Sequence, residues 1–64
     1  MVVQLRICVP GELSAVTLKT CREQRGTAEV AVVPRASVVP EGDVIEVLVA
    51  RESVEELLEM LEIL

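Results

Sequence analysis

The period of the apolar residues changes along the chain in the order strand, helix, strand, strand, helix. Val2 to Val9 places apolar side chains on alternate positions, which is typical of a half-buried strand. Thr27 to Val33 and Asp43 to Ala50 show the same alternation, and Pro34 favours a strand end after residue 33. This order predicts one small domain over residues 1–64, built from three strands and two helices.

The two helical segments differ in the strength of their apolar side. Glu12 to Arg25 carries a weak one at helical spacing and precedes Gly26, which favours a left-handed cap. Ser53 followed by Glu56 predicts a capping box at the start of the second helix. The first predicted stripe is Leu13, Val16, Thr17, Thr20 and Cys21; the second is Val54, Leu57, Leu58, Leu61 and Leu64. The spacing of four glutamates predicts an acidic, solvent-facing side of the second helix: Glu55, Glu56, Glu59 and Glu62.

Val39-Pro40-Glu41-Gly42 predicts a type I turn between the last two strands, with Pro at its second position. The right-handed crossover rule makes the first two strands parallel, with the third antiparallel between them. The resulting α+β fold is a truncated ferredoxin-like split βαβ with strand order 1-3-2 and both helices on one face. A further strand usually follows the second helix and lies beside the first strand. Its absence before Leu64 predicts an unpaired strand edge.

One face of this sheet is expected beneath the helices, where Val3, Leu5, Ile7, Val30, Val32, Ile45, Val47 and Val49 form the core. The opposite face keeps a further apolar set: Val2, Cys8, Ala31, Val33, Val44 and Leu48. An apolar face of this kind predicts contact with another protein surface. A chain of this length is also expected to be marginally stable alone. We therefore expect self-association through the sheet face or the open strand edge, with these residues as interface candidates.

The composition argues against several functions. The chain has no His, Phe, Tyr or Trp, and its formal net charge is -5. Without His, neither a Ser/His or Cys/His nucleophilic pair nor a mixed Cys/His zinc site can form. Aromatic stacking on bases is absent, and the negative charge repels a phosphate backbone. We predict a non-enzymatic protein without cofactor, metal or nucleic-acid partner, in which Cys8 and Cys21 are both reduced and buried; a disulfide between them is the alternative.

A few polar residues are candidates for ligand sites. Glu41 and Asp43 are better explained as turn residues than as a cation site. Arg22, Arg25 and Arg35 lie where an anion could bind, although arginines near a helix C-terminus also complement its dipole. The alternative function is an ACT-like sensor that binds an amino acid or anion at a dimer interface, with Glu12 and either Arg22 or Arg25 as contacts. Val38 and Val39 either pack beneath their loop or form a contact surface.

Residues 2–9 lack the features of a secretory signal, and no apolar run is long enough to cross a bilayer. A family resemblance comes from Arg25-Gly26-Thr27, Val33-Pro34, residues 40–44, and residues 49–52 followed by Leu57-Leu58. These motifs resemble the N-terminal region of uncharacterised bacterial hydrophobic-domain membrane proteins, a family of unknown function. The resemblance implies a small soluble α+β domain before a multi-pass membrane domain. It further implies a cytoplasmic module, part of a longer protein, whose partner is the adjacent membrane domain.

Overall fold

The computed structural model describes residues 1–63 and confirms the predicted α+β fold, with strand order β1-β3-β2 and two helices. The strands are β1 (Val2–Val9), β2 (Thr27–Ser37) and β3 (Gly42–Ala50), and the helices are α1 (Ser14–Glu23) and α2 (Val54–Glu62). Short 3-10 turns at Gly11–Leu13 and Arg51–Ser53 lead into the two helices. Strand β3 pairs antiparallel with both neighbours. Leu64, assigned above to the apolar stripe of the second helix, lies outside the described residues.

The strand register separates the two faces of the sheet as the alternation predicts. Val3 pairs with Val49 and Leu5 with Val47, while Val30 of β2 pairs with Val47 from the other side. Cys21 of α1 and Leu57 of α2 are fully buried and join the inward residues of the sheet in one core cluster. The other buried members are Ile45, Val47 and Val49, with Leu5, Ile7, Val9, Leu18, Val30, Val54 and Leu61 packed around them. Both helices therefore cover the same face.

Helix α1 is shorter than predicted and buries a narrower side. Its buried residues are Thr17 and Cys21, and Leu18 packs against the core cluster. Leu13 and Val16, assigned to the inward side above, are 39% and 41% exposed. Leu13 lies in the 3-10 turn before the helix, and the buried side of α1 is centred on Thr17 and Cys21, which leaves Val16 at its margin.

The predicted capping box at the start of α2 is wrong. Ser53 ends a 3-10 turn with helical backbone angles (φ -102°, ψ -3°) and makes no side-chain cap hydrogen bond. An N-cap residue normally has extended angles, which direct its side chain at the first-turn amides. The carboxylate of Glu56 instead accepts a hydrogen bond from the Gln24 side-chain amide at 2.7 Å. This bond ties the start of α2 to the end of α1.

Strand β2 continues beyond the end that Pro34 predicted. Its pairing with β3 shifts between Val33 and Ser37, and Arg35 within this bulge has φ +56°. The backbone N–H of Arg35 donates to Asp43 Oδ1 at 2.7 Å, so a side chain of β3 replaces the ladder partner there. The connecting turn covers residues 38–41, one residue earlier than predicted, and its Val39–Pro40 peptide bond is cis.

Candidate interaction site

The outer edge of β1 carries backbone groups that face away from β3. Arg51 N–H donates to the Met1 carbonyl at 2.9 Å, which makes Met1 and Arg51 a hydrogen-bonded pair at the end of the β1-β3 ladder. Hydrogen-bonded and non-bonded pairs alternate in an antiparallel ladder, so the odd-numbered residues of β1 bond to β3. The backbone N–H and C=O groups of the even-numbered residues consequently point to the outer edge. Those residues are Val2, Gln4, Arg6 and Cys8.

A second hydrogen bond supports this assignment from the other side of β3. Ala50 N–H donates to the Gly26 carbonyl at 2.9 Å, so the even-numbered residues of β3 bond towards β2. The odd-numbered residues of β3 are then left for β1, in agreement with the bond from Arg51. Within residues 1–63, β1 has β3 as its single strand neighbour. Its outer edge is therefore an uninterrupted row of available donors and acceptors.

The other edge of the sheet is interrupted. Pro34 has no N–H to donate, and the irregular pairing from Val33 to Ser37 bends β2 around the positive φ of Arg35. Prolines and bulges are common means of preventing edge-to-edge pairing. Strand β1 contains neither a proline nor a bulge. The two edges thus differ in their capacity to accept another strand.

An apolar groove runs beside the β1 edge on the helix-covered side of the sheet. Val3, Val54 and Leu58 line it together with Arg51 and Glu55, and its volume is about 360 Å³. Leu58 was expected in the buried stripe of the second helix, but its side chain is 46% exposed. The sheet has no strand beneath this flank of α2 in the part of the chain that the structure describes. The groove and the free edge form one continuous surface, which we call the β1-edge surface.

The face opposite the helices is less apolar than the interface candidates suggest. In the register, the central rows place Gln4 beside Leu48 and Glu29, and Arg6 beside Glu46 and Ala31. A depression of about 280 Å³ in this face is lined largely by Gln4, Glu29, Ala31, Glu46 and Leu48. Carboxylates, an amide and a guanidinium group therefore occupy the middle of the face.

The six interface candidates all lie on this face, in agreement with the alternation, but they do not form one exposed patch. Val2 is 56% exposed at one end, whereas Val33 is 46% exposed at the other, beside Cys8 and Val44 in the register. Val44 is 2% exposed and therefore already buried within the chain. Ala31 is exposed and Leu48 is half-buried in the polar middle rows. The remaining apolar area is divided between the two ends.

Asp43 organises the loops at one end of the sheet. Ser14 Oγ donates to Asp43 Oδ2, and the Arg35 N–H donates to Oδ1. The hydrogen bond from Ser14 is the main cause that lowers the pKa of Asp43 below its usual value, and the hydrogen bond and charge of Arg35 lower it further. Both carboxylate oxygens thus serve structural hydrogen bonds. Among residues 1–63, no group of three or more possible metal ligands occurs, so Glu41 and Asp43 have no further acidic neighbour for a cation site.

The ligand candidates do not come together. Glu12 lies in a loop cavity of about 410 Å³ with Arg35 and Glu41, before the start of α1. Arg22 and Arg25 lie at and beyond the other end of this helix, which at 1.5 Å per residue is about 15 Å long. The cavity therefore combines Glu12 with Arg35 rather than with Arg22 or Arg25. Val38 and Val39 are 81% and 90% exposed, so they do not pack beneath their loop.

The two cysteines are free and lie on opposite faces of the sheet. Cys21 is buried in the core, where burial raises the pKa of its thiol. Cys8 is exposed at the β1 edge, so its predicted burial is wrong. Its side chain points away from the helices, which rules out the alternative disulfide between the two residues.

The helices of this chain were compared with membrane-spanning helices, and its sequence and fold with those of known proteins. No helix in residues 1–63 combines the length and hydropathy needed to cross a membrane. The chain matches no family model, no curated protein and no solved structure.

The sequence predicts only part of the β1-edge surface: it predicts the strand edge but not the groove. Its signal was the width of the apolar stripe on the second helix, which exceeds what a three-stranded sheet covers.

Proposed function

We propose that this protein is a non-enzymatic interaction module that self-associates by pairing the free edge of β1 with the same edge of a second copy. The observation that carries the proposal is the row of outward backbone groups at Val2, Gln4, Arg6 and Cys8. An added strand bonds to such a row through its main chain, while adjacent side-chain pockets select the partner. The absence of His from the sequence supports a non-enzymatic role.

The edge is a better interface than the sheet face. Face-to-face packing would take Glu29 and Glu46 out of water. Arg6 lies beside Glu46 in the register, whereas Glu29 shares its row with Leu48 and Gln4. Burying unpaired carboxylates costs several kcal/mol per ion, on the order of the stability of a small domain. Edge pairing leaves these carboxylates in water. It satisfies backbone groups and covers the exposed side of Leu58.

The sequence resemblance supports a second part of the proposal. We place this module in the cytoplasm, as the N-terminal part of a longer bacterial membrane protein whose adjacent membrane domain is its other partner. Self-association would then bring membrane domains together and regulate their assembly. The genomic reading frame after the codon for Leu64 tests this part. Segments able to span a bilayer would support it, and an immediate stop codon would contradict it.

Replacing Gln4 by Pro tests the edge. The N–H of residue 4 points outward, so proline removes an intermolecular donor while the bonds from β1 to β3 remain. We expect the wild-type chain to sediment as a concentration-dependent dimer and Gln4→Pro to sediment as a monomer. Val32→Pro is the matched control, because Val32 lies at the outer edge of β2, between residues that bond to β3. It should retain the dimer.

Circular dichroism shows whether each variant is folded, so that loss of association is not mistaken for unfolding. A wild-type chain that stays monomeric up to near-millimolar concentration would overturn the proposal. So would a folded Gln4→Pro chain that dimerises as strongly as the wild type. If Gln4→Pro does not fold, concentration-dependent amide exchange at the same edge of the wild-type chain tests the dimer instead.

A further inference from the structure

We infer that the second copy pairs antiparallel across a two-fold axis at Leu5, so that two three-stranded sheets become one six-stranded sheet. This inference rests on the proposed function and specifies its partner geometry. A two-fold axis perpendicular to the sheet makes neighbouring β1 strands antiparallel and places the helices of both copies on the same face. It also gives each copy the same role in the contact.

The direction of the backbone groups restricts the register. Even-numbered residues point outward, so they must form the hydrogen-bonded pairs of the new ladder. With Leu5 opposite Leu5 of the second copy, Val2 pairs with Cys8 and Gln4 pairs with Arg6. Every outward N–H and C=O of β1 then has a partner. The neighbouring registers that also pair even-numbered residues have their axes at Gln4 or Arg6. Each of them leaves the outward backbone groups at one end of β1 without a partner.

Side-chain chemistry favours the same register. In the Leu5-centred pairing, the Arg6 guanidinium lies across from the Gln4 side chain, whose amide oxygen accepts a hydrogen bond. Moving the axis to Arg6 would set two guanidinium groups directly opposite each other, and like charges in that position are destabilising. Moving it to Gln4 would place Arg6 opposite Val2. The Leu5-centred register is the one that pairs a charge with a polar partner.

The groove of the β1-edge surface also receives an apolar side chain in this register. In the Leu5-centred register, odd-numbered residues form the non-hydrogen-bonded pairs, whose side chains approach most closely. Ile7 of each copy then lies opposite Val3 of the other, on the side covered by the helices. Val3 lines the groove together with Val54 and Leu58, so Ile7 of the second copy meets this apolar wall. Leu5 meets its own counterpart at the axis.

Cys8 makes the register measurable by disulfide crosslinking. In Val2→Cys, the new thiol lies opposite Cys8 of the second copy in a hydrogen-bonded pair, at a Cα separation of about 5.5 Å, within the range that a disulfide spans. Diamide takes up two electrons and two protons as the disulfide forms. We expect Val2→Cys to give covalent dimer on a non-reducing gel. The wild type should not, because its two Cys8 residues lie about 20 Å apart along the strands.

Gln4→Cys is the control for shifted registers. A thiol at position 4 faces Cys8 of the second copy when the axis lies at Arg6, and it faces its own counterpart when the axis lies at Gln4. We expect Gln4→Cys to crosslink at least tenfold more slowly than Val2→Cys, since its Cα separations exceed the disulfide range. Cys21 is buried in the core and does not compete.

Sedimentation of the reduced variants separates the two proposals. A reduced Val2→Cys chain that is monomeric overturns the proposed function. A reduced dimer in which Gln4→Cys crosslinks faster, or in which neither variant crosslinks, overturns the Leu5-centred register and leaves edge association standing. A reduced dimer with rapid and selective crosslinking of Val2→Cys supports both.

Discussion

Single residues at the end of α1 decide how the chain turns from the helix into β2. Gly26 has φ +93°, a conformation that side chains with a Cβ rarely adopt. Its carbonyl accepts the hydrogen bond from Ala50 N–H, and a Cβ at this position would lie 3.2 Å from the Cβ of Ala50 and 2.6 Å from Ser53 Oγ. Gly26 therefore allows the chain to turn from α1 into β2 and lets the end of β3 pack closely against that turn.

We predict that Gly26→Ala lowers the free energy of unfolding by about 1–3 kcal/mol, because the variant combines backbone strain with a steric clash. Urea denaturation followed by circular dichroism measures the change. Gly11→Ala is the matched control, since a Cβ at Gly11 meets no atom within 4 Å. We expect the control to unfold within about 0.5 kcal/mol of the wild type. Equal losses in both variants would show that the conformation of Gly26 is not the cause.

At the level of elements, the alternation of backbone groups along β1 leads to a hydrogen-exchange prediction. The N–H groups of Leu5 and Ile7 bond to β3 within the chain, whereas those of Gln4 and Arg6 face the outer edge. In dilute solution we expect slow exchange at Leu5 and Ile7 and rapid exchange at Gln4, Arg6 and Cys8. Raising the protein concentration should protect the even-numbered amides selectively, because they become bonded to the second copy.

Exchange rates measured by NMR at two concentrations check this prediction, and the amides of α1 provide the internal reference. Dimerisation detected by sedimentation without added protection at Gln4, Arg6 and Cys8 would place the contact elsewhere. Val32 N–H, at the outer edge of β2, is the matched position. It should exchange rapidly at both concentrations.

The sequence predicts the bounds of some strands and helices better than those of others. Strands β1 and β3 have nearly the predicted bounds, because period-two alternation is a local property of the backbone. The end of β2 was placed too early, since the pairing that continues it depends on Asp43, eight residues beyond Arg35. The exposure of Leu58 was missed because it depends on the width of the sheet rather than on helical spacing. Contacts between elements, which no local pattern encodes, account for both differences.

Contacts between elements also decide how much of the candidate site the sequence predicts. Within residues 1–63 the first strand lies at an edge of the sheet, as predicted, because the third strand fits between the two strands that the crossover joins. The sequence did not predict that carboxylates would interrupt the opposite face, since the cross-strand rows require the register. Glu12 and Arg35 share a cavity because two loops meet at one end of the sheet. Their proximity is a property of the tertiary fold.

For the molecule as a whole, dimerisation through β1 predicts that stability depends on concentration. The buried core is small, with Cys21, Ile45, Val47, Val49 and Leu57 as its central cluster. Domains of this size bury a limited fraction of their surface and are marginal alone. Association of folded chains stabilises them by mass action. A tenfold higher concentration should therefore favour the folded dimer over two unfolded chains by about 1.4 kcal per mole of dimer.

Thermal unfolding at several concentrations measures this effect. We expect the Tm of the wild type to rise steadily with concentration and the Tm of Gln4→Pro to be independent of it, because the proline removes a donor at the centre of the shared edge. Val32→Pro should follow the wild-type slope, even if its Tm is lower throughout. A Tm of the wild type that does not change with concentration would mean that the chain reaches its full stability as a monomer, in which case the β1-edge surface would not stabilise the fold by self-pairing.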